Sequence, residues 1–422
     1  MRPSLVAVGA VLAPAGLAQV VSYSDSSGLT FFTGTRTNPP SSSTGPPSGA
    51  YTSYGTQITL TGSNDTTTAS STSTPTTMTT PTSASNGTTT SATPTNTQPC
   101  NNYVEFCTRR YSNISFVGAH NSPFVRPGNS ASNQALPVKV QLNDGIRLVQ
   151  AQMQWPTNGT EPHFCHTSCD ILDAGPIDEW LTEVREWVDD HPYDVVTILL
   201  GNGNYSDASL YKPYIEKSGI QKYAYTPPLL PMKLNDWPTL QDLILRGKRV
   251  IMFLDYNANH TAVPWLLDEF SQVWETPFDP TDTSFPCTVQ RPPDLKAEDA
   301  KDRMYLMNHN LNAEFNVFDI QLLVPAVSLL NQTNAADGNG SLGMAANNCR
   351  TDWGRAPNFL NVDYYNYGSN KVNGSVFLAA ARLNNVTYNR TCCGIVSAAP
   401  GLASPAYWAG AAVLMLTVFL NL

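Results

Sequence analysis

Short apolar runs alternate with amphipathic stretches from residue 114 to residue 383, and this alternation constrains the fold more than any other feature. Val195 to Leu200 is apolar except for Thr197 and reads as the kind of strand buried on both faces of a parallel sheet. Ile114 to Ala119, Ile146 to Met153, Arg249 to Leu254, Met304 to Met307 and Phe359 to Val362 read as further strands. Between them, Pro176 to Val188 places Ile177, Trp180, Leu181, Val184 and Val188 on one helical face. Pro176 suits a first turn, and Pro192 lies beyond the end. Leu240 to Leu245, Trp265 to Trp274 and Gly374 to Leu383 also read as helices. Strands alternating with helices predict βαβ units. The expected fold is α/β, a single TIM-type (β/α) barrel spanning residues 99–393, a length that suits one such barrel.

The flanking segments have other compositions. Residues 1–18 read as a secretory signal, with Arg2, an apolar segment over residues 4–13 and the small-residue site Gly16-Leu17-Ala18. Residues 19–98 read as a disordered Ser/Thr/Pro-rich stalk. From Thr61 to Gln98 more than half the residues are Ser or Thr and only Asp65 is charged, so little apolar area is there to offset ordering entropy. Residues 394–422 combine small residues (Gly394, Ser397-Ala398-Ala399) with an apolar run from Ala406 to Leu420, short of the about 20 residues a membrane span needs. This reads as a glycosylphosphatidylinositol (GPI) attachment signal, or else a hydrophobic tail.

Export fits the cysteines. There are eight, Cys100, Cys107, Cys165, Cys169, Cys287, Cys349, Cys392 and Cys393, at spacings that match disulfides rather than zinc ligands. The near pairs 100/107 and 165/169 are plausible bridges, a bond between neighbours 392 and 393 would be strained, and the rest is open. Asn-X-Ser/Thr sequons occur at Asn64, Asn86, Asn113, Asn158, Asn204, Asn259, Asn331, Asn339, Asn373, Asn385 and Asn389, which fits a secreted glycoprotein. The net charge of −9 and the absence of a basic cluster argue against nucleic acid as a partner.

Two histidines carry the chemistry. His120 closes the run Ile114 to Ala119, and His166 lies in His163-Phe164-Cys165-His166-Thr167-Ser168-Cys169. Strand C-terminal ends are where barrel enzymes place their catalytic groups. A pair of histidines near pKa 6.5 supplies one general base and one general acid at neutral pH. His163, His191 and His260 have no supporting motif and read as surface or structural residues.

Gly118-Ala119-His120-Asn121-Ser122, Asp144 to Gln152, Cys165-His166-Thr167, His191-Pro192, Arg249 to Tyr256 and Asn361-Val362-Asp363-Tyr364 together resemble the phosphatidylinositol-specific phospholipase C superfamily. The chain looks most like its secreted fungal branch of PLC-like phosphodiesterases. The resemblance covers about Asn113 to Tyr367. It implies a phosphoric diester hydrolase in which His120 is the general base, His166 the general acid and Asp363 the carboxylate orienting His120. The implied substrate is a phosphoinositide or glycosyl-inositol lipid.

The chain departs from the pattern at the charged positions. Asn121 is what calcium-dependent members carry after the first histidine, but Gln150 and Gln152 replace their acidic ligands, and neutral amides are poor hosts for a hard cation. No cofactor and no essential calcium is therefore expected. Gln152 also replaces the arginine of calcium-independent members, and Arg147 has the wrong strand parity to stand in for it. A basic residue of some bacterial members aligns with Asp255. Asn121, Gln150, Gln152, Asp255, His309 and Tyr364 are the expected substrate-binding residues. With Tyr365 and Tyr367, Tyr364 offers aromatic rings for a sugar.

The expectation is a monomeric, secreted or cell-surface phosphodiesterase, GPI-anchored to the outer leaflet of the plasma membrane or to the cell wall. The missing electrostatic stabilisers favour an alternative, a catalytically impaired glycoprotein whose barrel binds a sugar or lipid headgroup. A purely structural wall protein is a third reading, motivated by stalk and anchor.

Overall fold

The computed structural model describes residues 97–317, 320–368, 374–390 and 392–393, with N-terminal pieces at 20–24, 30–34, 46–52 and 54–60. The proposed signal segment, residues 61–96 of the stalk and the proposed anchor signal lie outside the described residues.

Eight parallel strands form the centre: β1 (Phe116–Ala119), β2 (Leu148–Gln154), β3 (Val196–Asn202), β4 (Val250–Leu254), β5 (Leu266–Asp268), β6 (Val273–Glu275), β7 (Met304–Asn308) and β8 (Phe359–Val362). Their order is β5-β4-β3-β2-β1-β8-β7-β6, that of a (β/α) barrel with β1 paired to β8. The one seam without ladder hydrogen bonds falls between β5 and β6. There Arg291 bridges to Glu275 at the edge of β6.

Strand parity divides the apolar side chains into two layers. Phe116, Leu148, Leu199, Ile251, Phe253, Leu267, Val273, Met304, Leu306 and Phe359 form one cluster, with contributions from all eight strands. This is the barrel interior, and it is packed solid. The opposite parity, including Val117, Val149, Ile198, Met252 and Leu360, packs outward against the helices. Chief among these are α1 (Val138–Asp144), α2 (Ile177–Asp190), α3 (Leu342–Trp353) and α4 (Ser375–Leu383). Helix α2 buries the face read from its sequence, and Trp187 in addition. Arg147 points outward as its parity requires. It is buried, bonded to Asp194 at 2.7 Å and stacked over Trp187.

Residues Trp265 to Trp274 correct a sequence expectation. They form not one helix but β5, a single helical turn (Glu269–Gln272) and β6. The segment is buried along its whole length, so no amphipathic period distinguishes helix from strand. Asp268 stops β5 by accepting a hydrogen bond from the Ser271 amide.

Part of the presumed stalk also departs from expectation. Ala50 is buried, and its carbonyl accepts from the Asn257 amide. Tyr51 packs against Tyr256 and Phe270, with ring centroids 5.2 and 5.0 Å away. Ile58–Thr59 pairs antiparallel with Leu229–Leu230, and Gln57 donates to the Pro231 carbonyl. No helix follows β4 before β5 begins, and this strap covers the wall there. A Ser/Gly/Pro-rich composition hid a few well-placed aromatics.

The disulfides are Cys100–Cys107, Cys165–Cys169, Cys287–Cys349 and the vicinal pair Cys392–Cys393 that sequence reasoning disfavoured.

If the strap is part of the folded unit, Tyr51→Ala lowers unfolding stability by about 1–3 kcal/mol, as expected for a half-buried aromatic. Chemical denaturation measures this; an unchanged midpoint would show that the strap rests on the barrel without supporting it.

Candidate active site

The inward parity continues past the apolar layer, and the site grows from it. Two residues beyond the last interior apolar residue of each strand stand Gly118, Gln150, Gly201, Asp255, Glu269, Glu275, Asn308 and Asn361. Gly118 is required at its place: a Cβ there would lie 2.7 Å from Leu148 Cδ2 and 3.2 Å from Asn361 Oδ1. Gln150, Asp255, Glu269, Glu275, Asn308 and Asn361 form a polar floor. Asn361 Nδ2 donates to Gln150 Oε1 at 3.4 Å and to Asn308 Oδ1 at 3.3 Å. Asn308 Nδ2 donates to Glu275 Oε2 at 3.1 Å, and Arg291 donates to the same oxygen at 2.6 and 2.9 Å.

One step further along β1 and β8 lie His120 and Asp363. His120 Nδ1 is 2.8 Å from Asp363 Oδ1. A carboxylate only accepts, so the proton belongs on Nδ1 and Nε2 is left as the free base. Asn133 Nδ2 donates to the same Asp363 oxygen at 3.0 Å, which fixes the carboxylate from a second side. Gln134 donates to the carbonyls of His120 and Val362, and Asn334 to that of Asp363. His120 keeps 15% of its side-chain surface exposed, while Asp363 keeps 2%.

His166 arrives from another direction. The strand His163–His166 pairs antiparallel with β2 and then with Leu172–Pro176, forming a hairpin that extends from the sheet. The Cys165–Cys169 disulfide closes the turn behind His166. The Phe124 ring stands edge-on to the imidazole at 5.3 Å. Burial pushes its pKa down to about 3, and repulsion from His120, when that ring is protonated, acts the same way. The partly exposed ring tempers the effect of burial, but both influences favour a neutral His166 in the ligand-free site, and the two histidines are close enough to influence each other's charge.

The residue after each of these three groups has a left-handed backbone: Asn121 (φ 49°), Thr167 (φ 56°) and Tyr364 (φ 44°). Such conformations cost about 1–3 kcal/mol each outside glycine and cluster at functional sites. Here each turns the chain sharply and leaves the preceding side chain at the mouth.

Gln150 Oε1 accepts from the Asn121 amide at 3.3 Å as well as from Asn361, and Gln152 Oε1 accepts from Gln154 Nε2 at 2.9 Å. These amide oxygens already serve N–H donors, and the set does not fit a calcium ion. Asp255 is buried in the wall, where it accepts from the Asn202 amide at 2.7 Å. Burial pushes it up to about 7. Glu269 is also pushed well above the ordinary range, by burial first and Glu275 second. Arg291 stays charged because its acidic neighbours, Glu275 foremost, outweigh its desolvation. Asp279 lies exposed at the rim. Desolvation raises its pKa, a protonated His120 opposes this, and water screens much of both effects. Tyr364 donates its hydroxyl to the Ser132 carbonyl and so packs into the rim.

His309 is the misplaced expectation. Its parity is opposite to that of Met304, Leu306 and Asn308, so it leaves the mouth. It is buried, bonded through Nε2 to the Thr333 carbonyl at 2.9 Å and packed on Phe285. Asn308 takes the inward position. Glu275, Arg291, Asn308 and Asn133 were missed. Parity alone could have found Glu275 and Asn308, whereas Arg291 and Asn133 come from loops with no periodic signal.

The family model for the PI-PLC X domain matches residues 106–377. An uncharacterized secreted protein of Arthroderma benhamiae is 56% identical over 301 residues, covering 71% of this chain and 67% of that protein. The PI-PLC X domain-containing protein 1 of the same organism is 43% identical over 271 residues, covering 64% of this chain and 86% of its own. The phosphatidylinositol-specific phospholipase C of Listeria monocytogenes is 13% identical with a TM-score of 0.41, covering 67% of this chain and 96% of that one. With the family match spanning the whole barrel, from ahead of β1 into α4, the chain belongs to the PI-PLC X domain family of phospholipase C-like phosphodiesterases.

Proposed function

We propose that this chain cleaves a phosphodiester by metal-independent general acid–base catalysis, with a sugar- or inositol-bearing lipid headgroup as substrate class. The observation that carries the reading is the His120–Asp363 contact of 2.8 Å with His166 as its electrostatic neighbour. His120 Nε2 takes the proton from a hydroxyl beside the phosphodiester, and that oxygen attacks phosphorus. The bond to the leaving oxygen breaks as His166 delivers a proton to it. With roles reversed, His120 gives its proton back while His166 draws one from water, which opens the cyclic phosphate. Asp363 remains a carboxylate and stabilises the imidazolium of His120.

The electrostatics favour a singly charged diester. Arg291 is the arginine in the floor, it is already paired with Glu275, and Asp255 and Asp279 stand nearby. A headgroup bearing additional phosphates would meet these carboxylates. The same shortage of free cations supports the second reading, a barrel that binds a headgroup without turning it over.

The N-terminal signal, the sequons and the name of the Arthroderma secreted protein support export. The C-terminal small-residue and apolar segments support a GPI anchor, hence a protein of the cell surface or wall.

A panel of phosphoinositides, glycerophosphodiesters and a chromogenic diester, assayed with EDTA, tests the proposal. His120→Ala and His166→Ala should each lower kcat/KM by about 10²–10⁴-fold, the usual worth of positioned proton transfer. Undiminished turnover in either variant, or turnover abolished by EDTA, would contradict it.

A second expectation concerns charge. A phosphodiester anion bound between the histidines supplies the negative charge that makes an imidazolium favourable, so the pKa of His166 should rise on ligand binding. Ring-proton NMR in the free protein should find His166 neutral at pH 5. With an inositol phosphate bound it should titrate at least one pH unit higher. An unmoved titration would remove His166 from the acid role.

A further inference from the structure

A cavity of about 680 Å³ opens at the end of the barrel opposite the histidines, beneath the segments that lead into β1 and β8. Its lining includes Arg109, Arg110, Arg350 and Arg355 and no carboxylate. In a chain of net charge −9 this concentration of one sign stands out. The arginine salt bridges among the described residues fall at Arg147, Arg185, Arg291 and Arg382, not at these four. Arg109 spends one donor on the Asn384 carbonyl and Arg110 one on the Trp237 carbonyl. Arg355 bonds to Asn358 Oδ1 and to the carbonyls of Ala300 and Arg303, and is stacked on Tyr305. Its pKa is pushed down to about 10, chiefly by burial. Arg350, exposed on the last turn of α3, makes no side-chain hydrogen bond among the described residues.

We infer that this cavity is a binding site for a phosphate-type oxyanion, distinct from the catalytic mouth. Each guanidinium carries five N–H donors. Arg109 and Arg110 each keep four uncommitted, and Arg350 keeps all five. The planar fork of arginine matches two oxygens of a phosphate at once. An anion seated among them neutralises a cluster that makes no salt bridge among the described residues. Free phosphate and phosphate carried on a small polyol share this chemistry.

Isothermal titration of the full-length protein at constant ionic strength, with inorganic phosphate and with glycerol phosphate as probes, tests the inference. The His120→Ala protein serves as the background, so that loss of the mouth's chemistry leaves this site unaffected. One saturable equivalent is expected, with binding weakened at least tenfold in the double variant Arg110→Gln/Arg350→Gln. Both side chains are exposed, so the variant should keep its melting temperature. Tighter binding of glycerol phosphate would assign the site to a carried phosphate, and equal binding to the free ion. Absence of saturable binding by either probe, or binding unchanged in the double variant, would overturn the inference. In that case Arg109, Arg110 and Arg355 only cap carbonyl groups.

Discussion

The barrel's inner wall changes from apolar to polar between one inward-facing layer and the next, and the rest of the structure depends on that change. Below it, side chains from all eight strands fill the interior. Above it, Gln150, Asn361, Asn308, Glu275 and Arg291 bond to one another in a chain across the floor. A buried polar group without a partner costs about 1–3 kcal/mol, so a connected floor holds where isolated amides would not. That floor fixes the ends of β1 and β8, and hence the positions of His120 and Asp363.

The site combines rigid and loop-borne parts. His120 and Asp363 stand directly after neighbouring strands of the barrel, where the ladder sets their separation. His166 reaches the mouth on a disulfide-closed hairpin. Each of the three is followed by a residue with positive φ, so the backbone stores strain where the side chains must converge. The charge arrangement is unusual for phosphoryl chemistry. Carboxylates outnumber arginines around the floor, and Arg291 is paired rather than free. Catalysis by this site would lean on proton transfer and positioning more than on a fixed cation.

Much of this was legible from residues alone, because apolar runs mark buried strands and histidines at their ends mark the mouth. The strands around His120, Val195 to Leu200 and Asn361 could be placed that way, as could the buried face of α2. Trp265 to Trp274 could not, since a segment buried on every side has no period to read. His309 offers a titratable ring just after a strand, but strand parity turns it away from the mouth and presents Asn308 instead. Residues 46–52 and 54–60 were hidden by their composition: the contacts of Ala50, Tyr51 and Ile58 are enough to dock a stretch that averages as stalk. Arg291 and Asn133 come from irregular loops, and only the folded chain brings them to the floor and to Asp363.

The central claim is that two histidines perform successive proton transfers on a phosphodiester without a metal. Time-resolved ³¹P NMR of the reaction in EDTA, on a diester with a neighbouring hydroxyl, tests it most directly. The account predicts a cyclic phosphodiester resonance that rises and then decays to the monoester. Direct appearance of monoester without a cyclic species, or a reaction that proceeds only with added calcium, would contradict it.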